Sequence, residues 1–115
     1  MFVYNEEKEL FECEINGIEF VCEEEFVGCE HYATKLADAY WSKIDKIAEF
    51  MIAEEIELYF GKLTSEKIIK SLGNPQIDVG RSVIRYLEHT LDSIHIIEIE
   101  FMGVFEEMLY MIIDG

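Results

Sequence analysis

The dipeptide Asn16-Gly17, set between two runs of alternating residues, is the feature that most narrows how this chain can fold. Both residues accept the positive φ angles that a two-residue turn requires. The flanking runs LFECEI and IEFVCEEEF are rich in strand-forming residues, so they are predicted to pair as a β-hairpin over residues 10–26.

One face of this hairpin is predicted to be apolar and the other acidic, because side chains alternate between the two faces of a strand. The apolar cross-strand pairs are Ile15 with Ile18, Cys13 with Phe20, and Phe11 with Cys22. The acidic face carries Glu12, Glu14, Glu19 and Glu23. We therefore expect the hairpin to be one-sided.

A helical region follows the hairpin. Between Thr34 and Phe60 apolar residues recur at steps of three and four, which predicts a long amphipathic helix. Gly61 is placed to end it. Either Thr64 or Ser65 can cap a second, short helix, which the run Gly73-Asn74-Pro75 would stop.

Beyond Pro75 the pattern returns to strands, read as QIDV, SVIRYLEHT, SIHIIEIEF and VFEEMLYMIID. Their connections are too short for a parallel crossover, so they are expected to pair antiparallel. The last strand is apolar on both faces, which favours a central position, although VFEEMLYMI could also form a short helix.

The order of elements indicates a single α+β domain over residues 1–115. We expect an antiparallel sheet, built from the N-terminal hairpin and three or four C-terminal strands, packed against the long central helix and the short second helix.

The charge of the chain is extreme for a folded domain. Twenty-five Asp and Glu residues against nine Lys and Arg give a formal net charge of -16, while 50% of the residues are apolar. Acidic disordered tails lack such apolar content, and solubility needs a net charge with a magnitude of only about 2 to 8.

A basic protein partner is therefore expected, because complementary potentials speed the encounter of two proteins. An acidic homodimeric scaffold or regulator is the alternative. The scattered cations disfavour direct nucleic-acid binding.

The N-terminus and the cysteines suggest an intracellular protein without a metal or cofactor. MFVYNEEKEL has no secretory or membrane-anchor pattern, so we expect a cytoplasmic protein. Cys13, Cys22 and Cys29 are an odd set and are expected to be free thiols. With His31 they could bind zinc, but the short-spaced ligand pairs of structural zinc sites are missing, which favours buried thiols.

Candidate catalytic groups are few, and we expect no enzyme. His89 and His95 flank Asp92-Ser93 and could form an acid/base set, yet the glycine-flanked nucleophile turn is missing. Turn and sheet-edge polar residues are the plainer interpretation. A small enzyme using Cys29, or His31 or the two other histidines, remains a further alternative.

Three groups of carboxylates could meet a partner. The candidate partner-binding set is the outer hairpin face with the residues after it: Glu12, Glu14, Glu19, Glu23, Glu24 and Glu25. The helix supplies Asp38, Asp45, Glu49, Glu54, Glu55 and Glu57, and the C-terminal strands supply Glu88, Glu98, Glu100, Glu106 and Glu107. Aromatic anchors near these charges could be Tyr4, Tyr32, Tyr59 or Tyr86.

The run RYLEHTLDSIHIIEIEFMGVFEEMLYMIIDG, read with ECEINGIEF, resembles bacterial immunity proteins encoded beside polymorphic or contact-dependent growth inhibition toxins. The resemblance implies an intracellular inhibitor that binds and neutralises a cognate toxin domain, commonly a cationic nuclease. A nuclease attracts phosphates with Lys and Arg, so an acidic protein could occupy the same groove. Inhibition from a neighbouring surface is equally open.

Overall fold

The computed structural model of the chain describes residues 2–24 and 28–114. These residues form a seven-stranded sheet and three helices, which confirms the α+β fold. In chain order the elements are β1 (Val3–Asn5), β2 (Leu10–Ile15), β3 (Ile18–Cys22), α1 (Glu30–Ala53), α2 (Glu57–Phe60), α3 (Ser65–Leu72), β4 (Gln76–Asp78), β5 (Val83–Tyr86), β6 (Ile96–Met102) and β7 (Glu107–Asp114).

The predicted hairpin is confirmed over β2 and β3, including its register, but its second strand ends at Cys22, before the predicted end at residue 26, which lies outside the described residues. Ile15 lies opposite Ile18 and Glu14 lies opposite Glu19 across β2 and β3. Asn16 and Gly17 have φ angles of 52° and 81°, as a two-residue turn of this kind requires. A third strand, β1, which the sequence analysis did not predict, pairs with β2.

The strands follow one another across the sheet in chain order, from β1 to β7. The three C-terminal pairings, from β4 to β7, are antiparallel as predicted. The hairpin joins them through a parallel pairing of β3 with β4, so the sheet is not antiparallel throughout. The segment between β3 and β4 contains the helices and is long enough to carry the chain back to the end of the sheet where β3 begins. This return is required before β4 can run parallel to β3.

The last predicted strand is a strand, not a helix, but its predicted central position is wrong. β7 pairs with β6 only, and no strand within residues 2–24 and 28–114 pairs with its other edge. Its pattern of apolar residues on both faces correctly indicated a strand, but that pattern does not encode the order of strands in the sheet.

The predicted helix over 34–60 is two helices. α1 already begins at Glu30, and it ends at Ala53. Glu55 then takes a φ of 64°, which interrupts the helical path before α2. The capping prediction for the following helix is confirmed, since the Thr64 hydroxyl accepts a hydrogen bond from the Lys67 N–H at 3.2 Å.

The helices and one face of the sheet share a single apolar core. The buried residues of α1 are Ala33, Leu36, Ala37, Tyr40, Ile44, Ile47, Ala48 and Met51. The sheet residues of this core are Ile18, Phe20, Cys22, Ile77, Ile84, Tyr86, Ile97, Ile99 and Phe101. We call this the inner face of the sheet; the outer face carries the intervening side chains, which are mostly polar.

A buried pair of hydroxyl groups ties α1 to the sheet. The phenol oxygens of Tyr40 and Tyr86 lie 2.6 Å apart, and both side chains are fully buried. Burial raises the pKa of each phenol, so both groups stay neutral at physiological pH. Each hydroxyl satisfies the other in a region that is otherwise apolar.

We predict that Tyr40→Phe and Tyr86→Phe each lower the free energy of unfolding by about 1 to 3 kcal/mol, because each leaves one buried hydroxyl without a partner. The double variant should recover most of that loss, because no hydroxyl is left unsatisfied. Urea unfolding of the four proteins measures the coupling. Strictly additive losses in the double variant would show that the hydroxyl pair does not act as a unit.

Candidate partner-binding face

The outer face of the sheet carries a continuous row of polar side chains from β2 to β6. In register order this row is Glu14, Glu19, Gln76, Arg85 and Glu98. Arg85 Nε donates to Glu98 Oε2 at 2.7 Å and Nη1 donates to Gln76 Oε1 at 3.4 Å. Gln76 Nε2 in turn donates to Glu19 Oε1 at 3.1 Å. The row is therefore hydrogen bonded from β3 to β6 and held in one arrangement.

A lysine from the turn between β1 and β2 neutralises part of the acidic hairpin face. Lys8 Nζ lies 3.3 Å from Glu12 Oε2 and 3.4 Å from Glu19 Oε1, and Asn5 Nδ2 donates to Glu12 Oε1 at 3.0 Å. The hydrogen bond to Glu12 and the charge of Glu19 raise the pKa of Lys8. The hydrogen bonds from Asn5 and Lys8 lower the pKa of Glu12. Two of the candidate carboxylates thus have an internal counter-ion.

Glu14 differs from these two carboxylates. It is exposed and lies directly across from Glu19 on the neighbouring strand. Within the part of the chain that the structure describes, its carboxylate makes no hydrogen bond and no ion pair. Like charges placed opposite each other on a sheet are destabilising, so Glu14 contributes charge without contributing to the fold.

These residues surround a groove of about 450 Å³. Its charged lining comprises the carboxylates of Glu12, Glu14, Glu19 and Glu88 and the ammonium group of Lys8. Glu88 was assigned from the sequence to the C-terminal group of acids. The parallel pairing of β3 with β4 brings the C-terminal half of the sheet beside the hairpin, and with it Glu88. We refer to this feature as the acidic groove.

An apolar surface adjoins the acidic groove. Leu87 lines the groove and is 49% exposed, and Ile96 and Ile112 are 41% and 46% exposed. Ile96 and Ile112 occupy outer-face positions, because each alternates with inner-face neighbours along its strand, and Leu87 directly follows the inner-face residue Tyr86 at the end of β5. We call these three residues the outer apolar strip.

Two of the other candidate residues, Glu23 and Glu24, do not line the groove. Glu23 is paired with Arg81 at 3.1 Å and is exposed. Glu24 is exposed beyond the end of β3. Glu25 lies outside the described residues. The structure thus brings together three of the six candidate carboxylates, namely Glu12, Glu14 and Glu19, and adds Glu88.

The acidic residues of the other two groups are arranged differently. Those of the helical region are solvated, and all except the half-buried Glu57 are exposed. In the C-terminal group Glu98 is bound by Arg85, Glu100 accepts from the Tyr110 hydroxyl, and Glu106 accepts from the Val104 N–H. These three carboxylates have internal partners.

Among the proposed aromatic anchors, the prediction for Tyr86 is wrong, because this side chain is fully buried in the core. Tyr32 is half-buried and donates its hydroxyl to the Gly103 carbonyl. Tyr4 and Tyr59 are exposed but do not line the acidic groove. The apolar residues nearest the acids are instead aliphatic, and the sequence analysis did not single them out.

The histidine cluster stabilises a loop. His95 Nδ1 is hydrogen bonded to Asp92 Oδ2 at 2.5 Å, and His89 Nε2 bonds to the His95 carbonyl at 2.6 Å. His89 Nδ1 accepts from the Leu91 N–H, so both of its ring nitrogens are used within the loop. Among the described residues, Ser93 bonds to neither ring. No nucleophile and base are paired here.

The thiols and the candidate metal ligands form no site within residues 2–24 and 28–114. All three cysteines are free. Burial, together with the nearby Cys29, raises the pKa of Cys22 to about 11, which keeps it protonated and unreactive. No group of three His, Cys, Asp or Glu residues in these ranges could hold a metal ion.

No protein-family model, curated protein or solved structure matches the chain. Within the described residues, no helix has both the length and the apolar character needed to cross a membrane.

We predict that Glu14→Gln raises the free energy of unfolding by about 0.5 kcal/mol, because it removes a like-charge contact with Glu19. Glu49→Gln, on the exposed side of α1, is the matched control with the same change of charge. Urea unfolding of both variants at low salt separates the local contact from the overall self-repulsion. Equal gains in the two variants would contradict a local effect at Glu14.

Asp92 should make the free energy of unfolding depend on pH in the acid range. Partial burial works to raise the pKa of Asp92, but hydrogen bonds from His95 and from two backbone N–H groups outweigh it and hold the pKa at about 2. The value in the unfolded chain is near 3.8. The stabilisation is therefore complete above pH 3.8 and is lost as the pH falls from 3.8 to 2.

We predict that Asp92→Asn removes this part of the pH dependence. The difference in melting temperature between the wild type and the variant should shrink as the pH falls from 4 to 2. Thermal unfolding monitored by circular dichroism measures it. A difference that does not change with pH would contradict the role of the carboxylate.

Proposed function

We propose that this chain is an immunity protein that binds and neutralises a cognate cationic toxin domain, with a nuclease as the toxin. The observation that carries the proposal is the acidic groove, where four carboxylates face one lysine beside an exposed apolar strip. The resemblance of the C-terminal run to immunity proteins supports the choice of partner.

The groove has the properties of a site for Lys and Arg side chains. The chain carries a net charge of -16, which steers a cationic protein toward it and speeds association. Glu14, whose carboxylate has no partner among the described residues, is available to an incoming cation. Binding a cation there relieves the repulsion from Glu19 that the free protein bears.

The outer apolar strip supplies apolar contact area, which the charged residues do not provide. Binding energy in protein interfaces is concentrated in apolar residues near the centre, from which water is excluded, while charges act at the rim. Leu87 lies where the acidic groove meets the strip, so a single partner surface could cover both. The Arg85 and Gln76 hydrogen bonds hold the polar row in place before binding, which lowers the entropy lost on association.

Neutralisation follows from the chemistry of a nuclease. Such a domain binds phosphates through Lys and Arg, so an acidic face that covers those residues excludes the nucleic acid. The inhibitor itself then needs neither catalysis nor a cofactor, and its own field repels nucleic acid. A toxin of this kind acts in the cytoplasm, which is where we place the immunity protein.

An acidic homodimeric scaffold or regulatory binding protein without a toxin partner is the alternative. The exposed Leu87, Ile96 and Ile112 favour it, since two copies could bury this strip against each other. Sedimentation of the free chain distinguishes the two functions, because the scaffold is a dimer without any partner. The repulsion between two copies of charge -16 argues against that dimer.

The proposed function predicts that a toxin domain is encoded beside the gene, and that domain is the partner used in the test. We predict that Glu14→Lys combined with Glu88→Lys slows association with this domain by roughly tenfold at low salt, since steering depends on complementary charge. The matched control is Asp45→Lys with Glu49→Lys, which makes the same change of charge on α1. Stopped-flow measurement at low and high salt gives the rates.

The control pair should slow association much less than the groove pair, and high salt should reduce the difference between them. Equal slowing by both pairs would move the interface away from the groove. An adjacent domain that neither binds the wild type nor is inhibited by it would overturn the proposed function.

A further inference from the structure

Lys8 places the chain's own ammonium group inside the acidic groove. Its Nζ lies 3.3 Å from Glu12 Oε2 on β2 and 3.4 Å from Glu19 Oε1 on β3, so it bridges the two strands of the hairpin. Hydrogen bonds between an ammonium group and a carboxylate are usually about 2.7 to 2.9 Å long. These two contacts are longer, which indicates a loosely held side chain. The groove therefore holds a cation before any partner arrives.

The side chain of Lys8 can leave the groove while the turn that carries it stays in place. The side chain is 50% exposed, and those of Glu12 and Glu19 are 31% and 39% exposed. Ion pairs as exposed as these contribute little to stability. The backbone is fixed separately, because the Lys8 N–H donates to Asn5 Oδ1 at 3.2 Å. Asn5 also donates to Glu12 Oε1, so this carboxylate keeps a partner when Lys8 leaves.

The acids beside Lys8 can accept more hydrogen bonds than its ammonium group supplies. Glu14 lies directly across from Glu19, and its carboxylate has neither a hydrogen bond nor an ion pair among the described residues. Glu19 is bonded by Lys8 and by Gln76 through the same oxygen, Oε1. A cation that bonded Glu14 and Glu19 together would relieve the repulsion between them.

The other cations of the outer face are engaged elsewhere. Lys8 is the one cation that lines the groove among residues 2–24 and 28–114. Arg85 and Arg81 are each paired with acids that do not line it, namely Asp78 and Glu98 for Arg85 and Glu23 for Arg81. The position between Glu14 and Glu19 is therefore open to a cation from outside the chain.

Arginine and lysine differ in how they can use this position. A lysine of the partner brings an ammonium group like that of Lys8, so replacing one with the other forms no additional hydrogen bond. An arginine brings a planar guanidinium group with five N–H donors, which can bond two carboxylates at once and is more weakly hydrated. Its apolar stem can lie against Leu87, an exposed residue that lines the groove.

We propose that the acidic groove binds an arginine side chain of the partner through Glu14 and Glu19, and that this arginine displaces Lys8 Nζ from Glu19. Lys8 is then an internal competitor that fills part of the site in the free protein. That the partner is a cationic protein rests on the proposed function. The preference for arginine over lysine rests on the contacts of Lys8, Glu14 and Glu19.

The probe is a pair of short peptides with the same number of cationic residues, spaced by serine and blocked at both ends. One peptide carries arginine and the other lysine. Fluorescence anisotropy at low salt gives the affinities, and we expect the arginine peptide to bind the wild type roughly tenfold more tightly. NMR of the side-chain carboxyl carbons locates the contact. We expect shifts at Glu14 and Glu19 and none at Glu49 on α1.

Removing one of the two carboxylates tests the preference for arginine. Glu14→Gln should lower the ratio of the two affinities from roughly tenfold to about twofold or less, because the guanidinium group can no longer bond two carboxylates. Glu49→Gln is the matched control with the same change of charge, and it should leave the ratio as in the wild type. The ratio is the informative quantity, since a change in the overall field moves both affinities together.

Changing Lys8 tests its role as a competitor. Lys8→Met should strengthen binding of both peptides several-fold more than Lys62→Met does, although both variants remove one positive charge. Lys62 is the control because it is exposed and does not line the groove. Lys8→Arg keeps the net charge and places a guanidinium group on the same acids, so it should weaken binding of both peptides. This second variant serves as the test if Lys8→Met does not fold.

The peptides need no toxin, so this inference and the proposed function can fail separately. Equal affinities of the two peptides for the wild type, an unchanged ratio in Glu14→Gln, or equal effects of Lys8→Met and Lys62→Met would each overturn the inference. If these results appear while the adjacent domain still binds, the proposed function stands without the arginine site. If the peptides behave as expected and the adjacent domain does not bind, the arginine site stands and the proposed function is wrong.

Discussion

The structure depends on the packing of one helical layer against one face of the sheet. The buried stripe of α1 and the inner face of the sheet form the apolar core, and the Tyr40 and Tyr86 hydroxyls join the two layers within it. The burial of apolar area here is the main favourable contribution to folding. Because the helices lie on the inner side, the outer face must satisfy its polar groups through its own side chains and solvent.

The carboxylates of the outer face are matched by cations to different extents along the sheet. From β3 to β6 the acids are matched by Arg85 and linked through Gln76, which forms a stable row. At the hairpin, Lys8 is shared between Glu12 and Glu19, and Glu14 is left exposed. On the outer face, Glu14 at the hairpin end of the sheet therefore carries a negative charge that no cation among the described residues matches.

Local signals in the sequence were sufficient for much of the fold. The hairpin register followed from the turn chemistry of Asn16-Gly17, and the start of α3 followed from the capping side chain of Thr64. These features depend on residues close together in the chain. The interruption of the long helix at Glu55 had no comparable signal, since neither Gly nor Pro marks it.

Non-local features could not be predicted in the same way. β1 has only three residues, too few to show a period, so Lys8 was not recognised as the counter-ion of the hairpin. The parallel pairing of β3 with β4 depends on the path of the chain through the helices, and it is this pairing that brings Glu88 to the acidic groove. For β7, the residue pattern predicted an apolar strand but not the position of that strand in the sheet.

The alternation of side chains in the strands has a consequence for how this protein can change. Along β6 every second codon specifies a core residue, and the codons between specify the outer face. Mutations at the intervening codons of β6 can therefore change the outer face while the buried residues Ile97, Ile99 and Phe101 stay the same. In β3 this freedom is smaller, because Val21 is buried although it alternates with the inner-face residues Phe20 and Cys22.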